Sequence, residues 1–319
     1  MKILLVNIDS KEPNLTLMQL ASWHRAQGHE VGWDTENPDV IYISCILDTN
    51  RAKAYSAKKM LELLWPDALI DLGGSGVDIH KRIPEVELLT PDYSIYPMID
   101  YSLGFTSRGC IRKCPFCIVP EKEGKFRPVQ HPQEFHDPRF KKIVFLDNNI
   151  LASKEWFFEV TDWVLANGLK VDFNQGLDVR LFDKDIVNRL KELKWIDAVR
   201  IAFDNTAYRP AVEAGLDMMQ AAGFAMHNIQ VYVYVDSDAD YDDAVARCRI
   251  IKGKGARAYA MLNLNAPRTT RLKKLKWWTG RGHAFYAFDI DEMDRAIQTE
   301  VRRKKKVSVS KENGRLYDD

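Results

Sequence analysis

Apolar runs of strand length alternate with segments of helical spacing along most of the chain. Near the N-terminus, KILLVNI and DVIYISCIL read as buried strands, and residues 15–27 have helical spacing that stops at Gly28. A second helix over about residues 52–64 leads to the strand ALIDL and a glycine-rich turn at residues 73–76. This alternation predicts a small doubly wound α/β domain over residues 1–98, shaped like a shortened Rossmann unit.

After a proline-rich connector, a strand-then-helix unit repeats. Strand-like runs begin near Phe105, Lys142, Lys170, Asp197, Ile229 and Ala258, and the last five lie 28, 27, 32 and 29 residues apart. This is the period of βα units. Six units are too few to close an eight-stranded barrel, so an incomplete (β/α)6 barrel or an open sheet is expected over residues 99–265. In either fold, functional residues lie at the carboxyl ends of the strands.

The charge of the chain is uneven. Residues 266–319 hold 14 Lys or Arg against 8 Asp or Glu, a net charge of +6, whereas the other 265 residues sum to −5. Aromatic side chains lie among these cations, which suits both phosphate contact and base stacking in a nucleic-acid partner; they are Trp277, Trp278, Phe285 and Tyr286. A solvated basic tail or a packed amphipathic terminus fits the same pattern.

Composition places the chain among ordinary globular proteins. It is 46% hydrophobic and 29% charged, and no apolar run approaches the roughly 18 residues that cross a bilayer. The first ten residues lack the features of a signal peptide. We therefore expect a cytoplasmic protein without a membrane partner. In a reducing compartment, clustered cysteines indicate metal binding before disulfides.

Three of the five cysteines lie within eight residues, after the first strand of the repeating region: Cys110, Cys114 and Cys117. Thiolates at these spacings let one short loop bind three irons of a [4Fe–4S] cluster, which leaves the fourth iron open. The alternative is a zinc site completed by His131 or His136, although zinc ligands usually come as two separated pairs. Cys45 and Cys248 lie within a strand and a helix, so both are predicted to be core residues.

The pattern C-x-x-x-C-x-aromatic-C at the end of a first barrel strand resembles the signature of the radical S-adenosylmethionine (SAM) superfamily. The stretch from Gly109 through CIRKCPFCIVP to Arg127-Pro128 is similar to the subgroup with tRNA methylthiotransferases and cobalamin-binding radical SAM enzymes. The resemblance covers about residues 100–265. It implies an enzyme whose open iron binds SAM, and in which one electron from a flavodoxin- or ferredoxin-type reductase cleaves SAM to methionine and a 5′-deoxyadenosyl radical.

The same resemblance implies contacts between SAM and residues at the strand ends. Phe116 would line the adenine pocket, and the edge that holds the SAM amino group carries Asp147 and Asn149, which an Asx turn explains equally well. Past the third barrel strand, Arg180 suits a carboxylate and Asp178 suits ribose hydroxyls, with a surface ion pair as the alternative. Asp204 ends the fourth strand, where related enzymes carry a Gly-x-Glu segment.

Three functions compete. A methylthiotransferase needs further N-terminal cysteines, yet only Cys45 is present there. A cobalamin-dependent methyltransferase carries Asp-x-His-x-x-Gly after its first strand, and this segment lacks that motif, so the N-terminal domain resembles a cobalamin domain that does not bind the cofactor. The expectation is a radical SAM enzyme that abstracts hydrogen from its substrate. The alternative from another class is a non-catalytic iron–sulfur or zinc protein whose basic C-terminal region binds nucleic acid.

Overall fold

The computed structural model describes residues 1–293. The strands are β1 Lys2–Asn7, β2 Glu30–Gly32, β3 Val40–Ser44, β4 Leu69–Gly73, β5 Ser102–Gly104, β6 Ser107–Arg108, β7 Arg127–Pro128, β8 Lys142–Phe145, β9 Lys170–Phe173, β10 Lys194–Trp195, β11 Val199–Ala202, β12 Ile229–Val235 and β13 Arg257–Leu262. The α-helices are α1 Leu15–Ala26, α2 Arg51–Leu64, α3 Val119–Lys122, α4 Lys154–Ala166, α5 Lys184–Glu192, α6 Arg209–Ala221, α7 Tyr241–Gly253, α8 Thr270–Thr279 and α9 Gly282–Ala287. The chain divides into two compact units, residues 1–199 and residues from 200 onward.

The first sheet of the first unit has the order β2-β1-β3-β4, and all its strands are parallel. Side chains of β1 alternate between its two faces. Ile3 and Leu5 pack with α1, whereas Leu4 packs with Ala54 and Leu61 of α2. Because the two helices cover opposite faces, the predicted doubly wound arrangement of this segment is confirmed.

A second parallel sheet in the same unit has the order β10-β9-β8-β5. Its register sets Gly104 beside Phe145, and Phe145 beside Phe173. The Phe145 and Phe173 rings stack 5.2 Å apart, next to the buried Phe157 of α4. The carboxyl ends of β5, β8 and β9 therefore lie at one edge of the sheet, over a core of stacked aromatic rings.

The second unit contains a three-stranded sheet of order β11-β12-β13, in which β12 and β13 run parallel. Helix α8 covers the outer edge of β13, where Lys276 donates to the Ala260 carbonyl and the Thr279 hydroxyl accepts from the Ala260 amide. Trp278 and Phe285 are fully buried in this unit. These two rings are core residues, as the alternative of a packed terminus expects, and they are not available to stack on a nucleic acid. The basic run at residues 302–306 lies outside the described residues.

The prediction of an α/β fold with parallel sheets is confirmed, and the six repeating strands are present as β5, β8, β9, β11, β12 and β13. Residues 1–293 contain no closed barrel. The partial (β/α)6 barrel and the domain boundaries at residues 98 and 265 stay predictions. No helix in the described part of the chain is long and apolar enough to cross a membrane.

Candidate functional site

The three clustered cysteines lie on one loop, which we call the cysteine loop (residues 109–126). It leaves the two-stranded antiparallel ribbon at β6 and returns to it at β7, where Arg108 is opposite Arg127. The Cys110 amide donates to the Gly124 carbonyl at 3.2 Å, and this bond closes the loop at its base. The ribbon follows β5 directly, so the loop begins at the carboxyl edge of the second sheet.

Gly109 allows this closure because it has no side chain. Its φ is +78°, in the left-handed region, and a Cβ atom there would lie 2.2 Å from the Lys125 carbonyl oxygen. Any other residue would strain the backbone and push the two sides of the loop apart. The path of the backbone therefore requires glycine at position 109.

Cysteine thiols are the residue type that binds iron–sulfur clusters. None of the five cysteines forms a disulfide bond. The Arg112 amide lies 3.3 Å from Cys110 Sγ, and the Val119 amide lies 3.4 Å from Cys117 Sγ. Backbone N–H groups directed at sulfur stabilise the thiolate and tune the potential of a cluster bound to it. Within residues 1–293, however, no three Cys, His, Asp or Glu side chains converge closely enough to hold a metal ion. The residue types fit the cluster, while the sulfur positions are not those of an assembled metal centre.

Asp147 follows β8 and holds the start of the cysteine loop. It is buried, and its carboxylate accepts hydrogen bonds from the amide and hydroxyl of Thr106 and of Ser107. Burial raises the pKa of Asp147, against these four hydrogen bonds, which lower it. The next residue, Asn148, accepts from the Gly109 amide at 3.0 Å. Protein donors already engage both carboxylate oxygens of Asp147. The predicted contact of Asp147 with the SAM amino group stays a prediction.

Asn149 lies between the cysteine loop and the end of β9. Its Nδ2 atom is 3.5 Å from both Cys110 Sγ and Asp178 Oδ2, and the residue is only 5% exposed. Its Oδ1 atom is buried with no hydrogen-bond partner. A buried amide oxygen without a donor costs free energy, about 1–3 kcal/mol, unless a ligand supplies one. Of the predicted site residues, Asn149 therefore has the clearest unmet hydrogen-bonding capacity for a ligand.

Asp178 is the centre of an ion cluster beside Cys110. Arg180 contacts both of its carboxylate oxygens, at 2.6 and 3.0 Å, and Arg112 of the cysteine loop donates to Oδ2 at 2.8 Å. Burial opposes ionisation of Asp178, but the two guanidinium groups outweigh it and lower the pKa of the carboxyl. The structure therefore contains the ion pair that was the alternative for these residues, and it ties the cysteine loop to the strand end.

Phe116 and Asp204 are the other two predicted cofactor contacts. Phe116 is 42% exposed on the cysteine loop, between Cys114 and Cys117. Asp204 belongs to the second unit, where its Oδ1 accepts from the Tyr234 amide at 3.0 Å. Their roles toward SAM stay predictions.

Sequence reasoning missed a buried carboxylate at the base of the cysteine loop. The Glu123 side chain is 2% exposed and lies 3.3 Å from Arg108, 3.6 Å from Lys122 and 3.4 Å from Arg82. Burial opposes its ionisation, yet the three cations outweigh burial and lower its pKa. Nothing in the spacing of the chain indicates Arg82, which lies 41 residues earlier.

The remaining cysteines and the two histidines of the zinc alternative lie elsewhere. Cys45 and Cys248 are fully buried, as predicted, and burial raises the pKa of their thiols to about 11 and about 12. His131 and His136 both pack edge-on against Trp163. The pair of histidines therefore contributes to an aromatic cluster.

A scan of the chain against protein-family models gave no match. A search of curated proteins gave no match either.

Proposed function

We propose that this protein is a radical SAM enzyme that binds a [4Fe–4S] cluster through Cys110, Cys114 and Cys117. When bound, the cluster would hold SAM at its open iron and supply the electron that cleaves it to a 5′-deoxyadenosyl radical for hydrogen abstraction. A flavodoxin- or ferredoxin-type protein is the corresponding electron donor. The observation that carries the proposal is the Asn149 side chain, whose Nδ2 lies 3.5 Å from Cys110 Sγ and whose buried Oδ1 has no hydrogen-bond partner.

The surroundings of the cysteine loop support a ligand at this edge of the sheet. The three thiols come from one short loop, and two of the sulfurs lie near backbone amides. Polar residues follow β8 and β9 at the same edge, where ligands bind in open α/β sheets. The local positive charge of Arg112 and Arg180 suits the negative charge of a thiolate-bound cluster and of a carboxylate ligand.

The residues of the chain have separable roles in this proposal. Asn149 has an acceptor oxygen for an ammonium donor of the ligand. Asp178 holds Arg112 and Arg180 in fixed orientations, so the guanidinium groups are oriented before any ligand arrives. Asp147 sets the backbone of Thr106 and Ser107, from which the loop departs.

Anaerobic reconstitution with iron and sulfide tests the proposal. We expect about four irons per chain and, after reduction with dithionite, conversion of SAM to 5′-deoxyadenosine. Cys114→Ala should abolish the conversion. Cys248→Ala is the matched control, because this thiol is buried in the second unit.

Two outcomes would overturn the proposal. Stoichiometric zinc without iron after anaerobic expression would favour the non-catalytic alternative. SAM cleavage by a variant lacking all three loop cysteines at the wild-type rate would remove the cluster from the reaction. An Asn149→Leu variant that loads iron normally but binds SAM as tightly as wild type would exclude the assigned role of Asn149.

A further inference from the structure

The base of the cysteine loop is held from two directions. Arg108, two residues before Cys110, and Lys122, at the end of α3, both contact the Glu123 carboxylate. The Arg127 guanidinium donates to the Glu123 carbonyl at 2.7 Å. The Arg108 guanidinium also lies 3.5 Å above the Phe105 ring, which limits its alternative positions. Glu123 therefore joins the outgoing and returning sides of the loop.

The third cation on Glu123 comes from a much earlier part of the chain. Arg82, in the connector after the first sheet, contacts the Glu123 carboxylate and donates to the Lys122 carbonyl. Lys122 in turn donates to the Ser75 hydroxyl at 2.8 Å. Ser75 belongs to the glycine-rich turn that follows β4, so the segment after the first sheet contacts the end of α3 through both Arg82 and Ser75.

That turn packs closely against the end of β3 and is bonded to α2. Gly74 has a φ of +99°, and a Cβ atom there would lie 2.3 Å from the Cys45 carbonyl oxygen at the end of β3. Arg51 of α2 donates to the Gly76 carbonyl at 2.8 Å. The turn therefore connects the first sheet to Lys122 through close packing and hydrogen bonds.

Energetics favour a clamp over an incidental surface contact. Glu123 is almost fully buried, and removing one partner from a buried ion cluster is costly because the remaining charge loses compensation. Solvent-exposed pairs such as His80 with Glu121 nearby contribute little. Among these contacts, Arg82 is therefore the one by which the N-terminal segment most strongly affects the loop.

We propose that Arg82 and Glu123 are positioning residues of the cysteine loop, and that the N-terminal sheet serves as its rigid support. This inference rests on the proposed function for its consequence, since an ordered loop sets the geometry of the cluster that the three cysteines would bind. The clamp itself is a property of the chain without iron. The two proposals can therefore fail separately.

Hydrogen exchange on the full-length, iron-free protein tests the clamp directly. Arg82→Met keeps the length of the side chain and removes its donors, and Arg82→Lys restores one donor and the charge. We expect exchange of peptides covering residues 107–124 to accelerate roughly ten-fold in Arg82→Met and to return toward wild type in Arg82→Lys. Peptides covering β12 in the second unit should not change. Arg209→Met, which removes an exposed arginine from an i,i+4 pair in α6, is the matched control.

A second measurement links the clamp to the cluster. In reconstituted protein, Arg82→Met should change the electron paramagnetic resonance signal of the reduced cluster or shift its reduction potential, whereas Arg82→Lys should resemble wild type. Unchanged exchange in residues 107–124 with Arg82→Met and with Glu123→Gln would overturn the clamp. Failure of the wild-type protein to bind iron would overturn the proposed function and leave the exchange result standing.

Discussion

Replacing Asp147 by Ala is expected to destabilise the start of the cysteine loop. The carboxylate accepts from the backbone amides of Thr106 and Ser107, both of which are completely buried. Truncation to Ala leaves these two N–H groups without an acceptor. The hydroxyls of the same residues can rotate toward other partners, but the amides cannot.

The expected loss follows from these two amides. Each buried donor left unpaired costs about 1–3 kcal/mol, so two cost about 2–6 kcal/mol. Removing a buried carboxylate relieves its desolvation, the same cause that raises its pKa, and this offsets part of the loss. We therefore expect about 2–4 kcal/mol in the free energy of local opening. Asp147→Asn should lose less, because its amide oxygen still accepts from one of the two N–H groups.

Hydrogen exchange measured by mass spectrometry gives the local free energy. A change of about 2–4 kcal/mol accelerates exchange of residues 104–110 by about 30- to about 900-fold. Asp185→Ala is the control, because it removes an equal charge from an exposed side chain in α5. Exchange at wild-type rates in Asp147→Ala would refute the reasoning. If SAM binding weakened in that variant while exchange stayed unchanged, Asp147 would contact the ligand, as the family resemblance implies.

Three further predictions follow from the loop, its ion cluster and the second unit. Gly109→Ala should disorder the cysteine loop, because its Cβ atom would clash with the Lys125 carbonyl. Gly168 has a similar φ but open space around it, so Gly168→Ala should lower the free energy of unfolding only by the cost of a left-handed backbone, about 1–2 kcal/mol. Urea unfolding and hydrogen exchange compare the two variants. The contribution of Glu123 to stability should be complete above its ordinary pKa of 4.5 and should be lost as the pH falls through its lower pKa in the folded state. The free energy of unfolding of Glu123→Gln, measured between about pH 3 and pH 6, should therefore depend less on pH than that of wild type. An identical pH dependence would contradict this. Trp278→Ala should cost about 3–5 kcal/mol in the free energy of unfolding, and Trp277→Ala, which removes a half-buried ring, should cost clearly less; equal losses would place Trp278 outside the core.

Local patterns in the sequence were sufficient for most of the fold. The βα period gave strands within a few residues of those observed, because buried parallel strands are short continuous apolar runs with helices between them. Ser153 and Asp183 are residue types that favour helix N-termini, and each side chain accepts from a backbone amide three residues later. Short elements without such a pattern, such as β2 and the β6–β7 ribbon, were missed. Helices α8 and α9 were missed because their aromatic residues resembled a binding surface.

The sequence alone determined the position of the proposed site, because three cysteines within eight residues must lie on the same loop. Only the tertiary structure decided what surrounds them. It pairs Arg112 with Asp178 across 66 residues and Arg82 with Glu123 across 41. Such pairs form only where particular strand ends and connectors become neighbours. The order of strands in the sheet decides which ones do, and that order results from packing between residues far apart in sequence. Packing between distant segments also buries Trp278 in the second unit. Removing its large apolar surface from water is favourable, even though the neighbouring residues in sequence are basic.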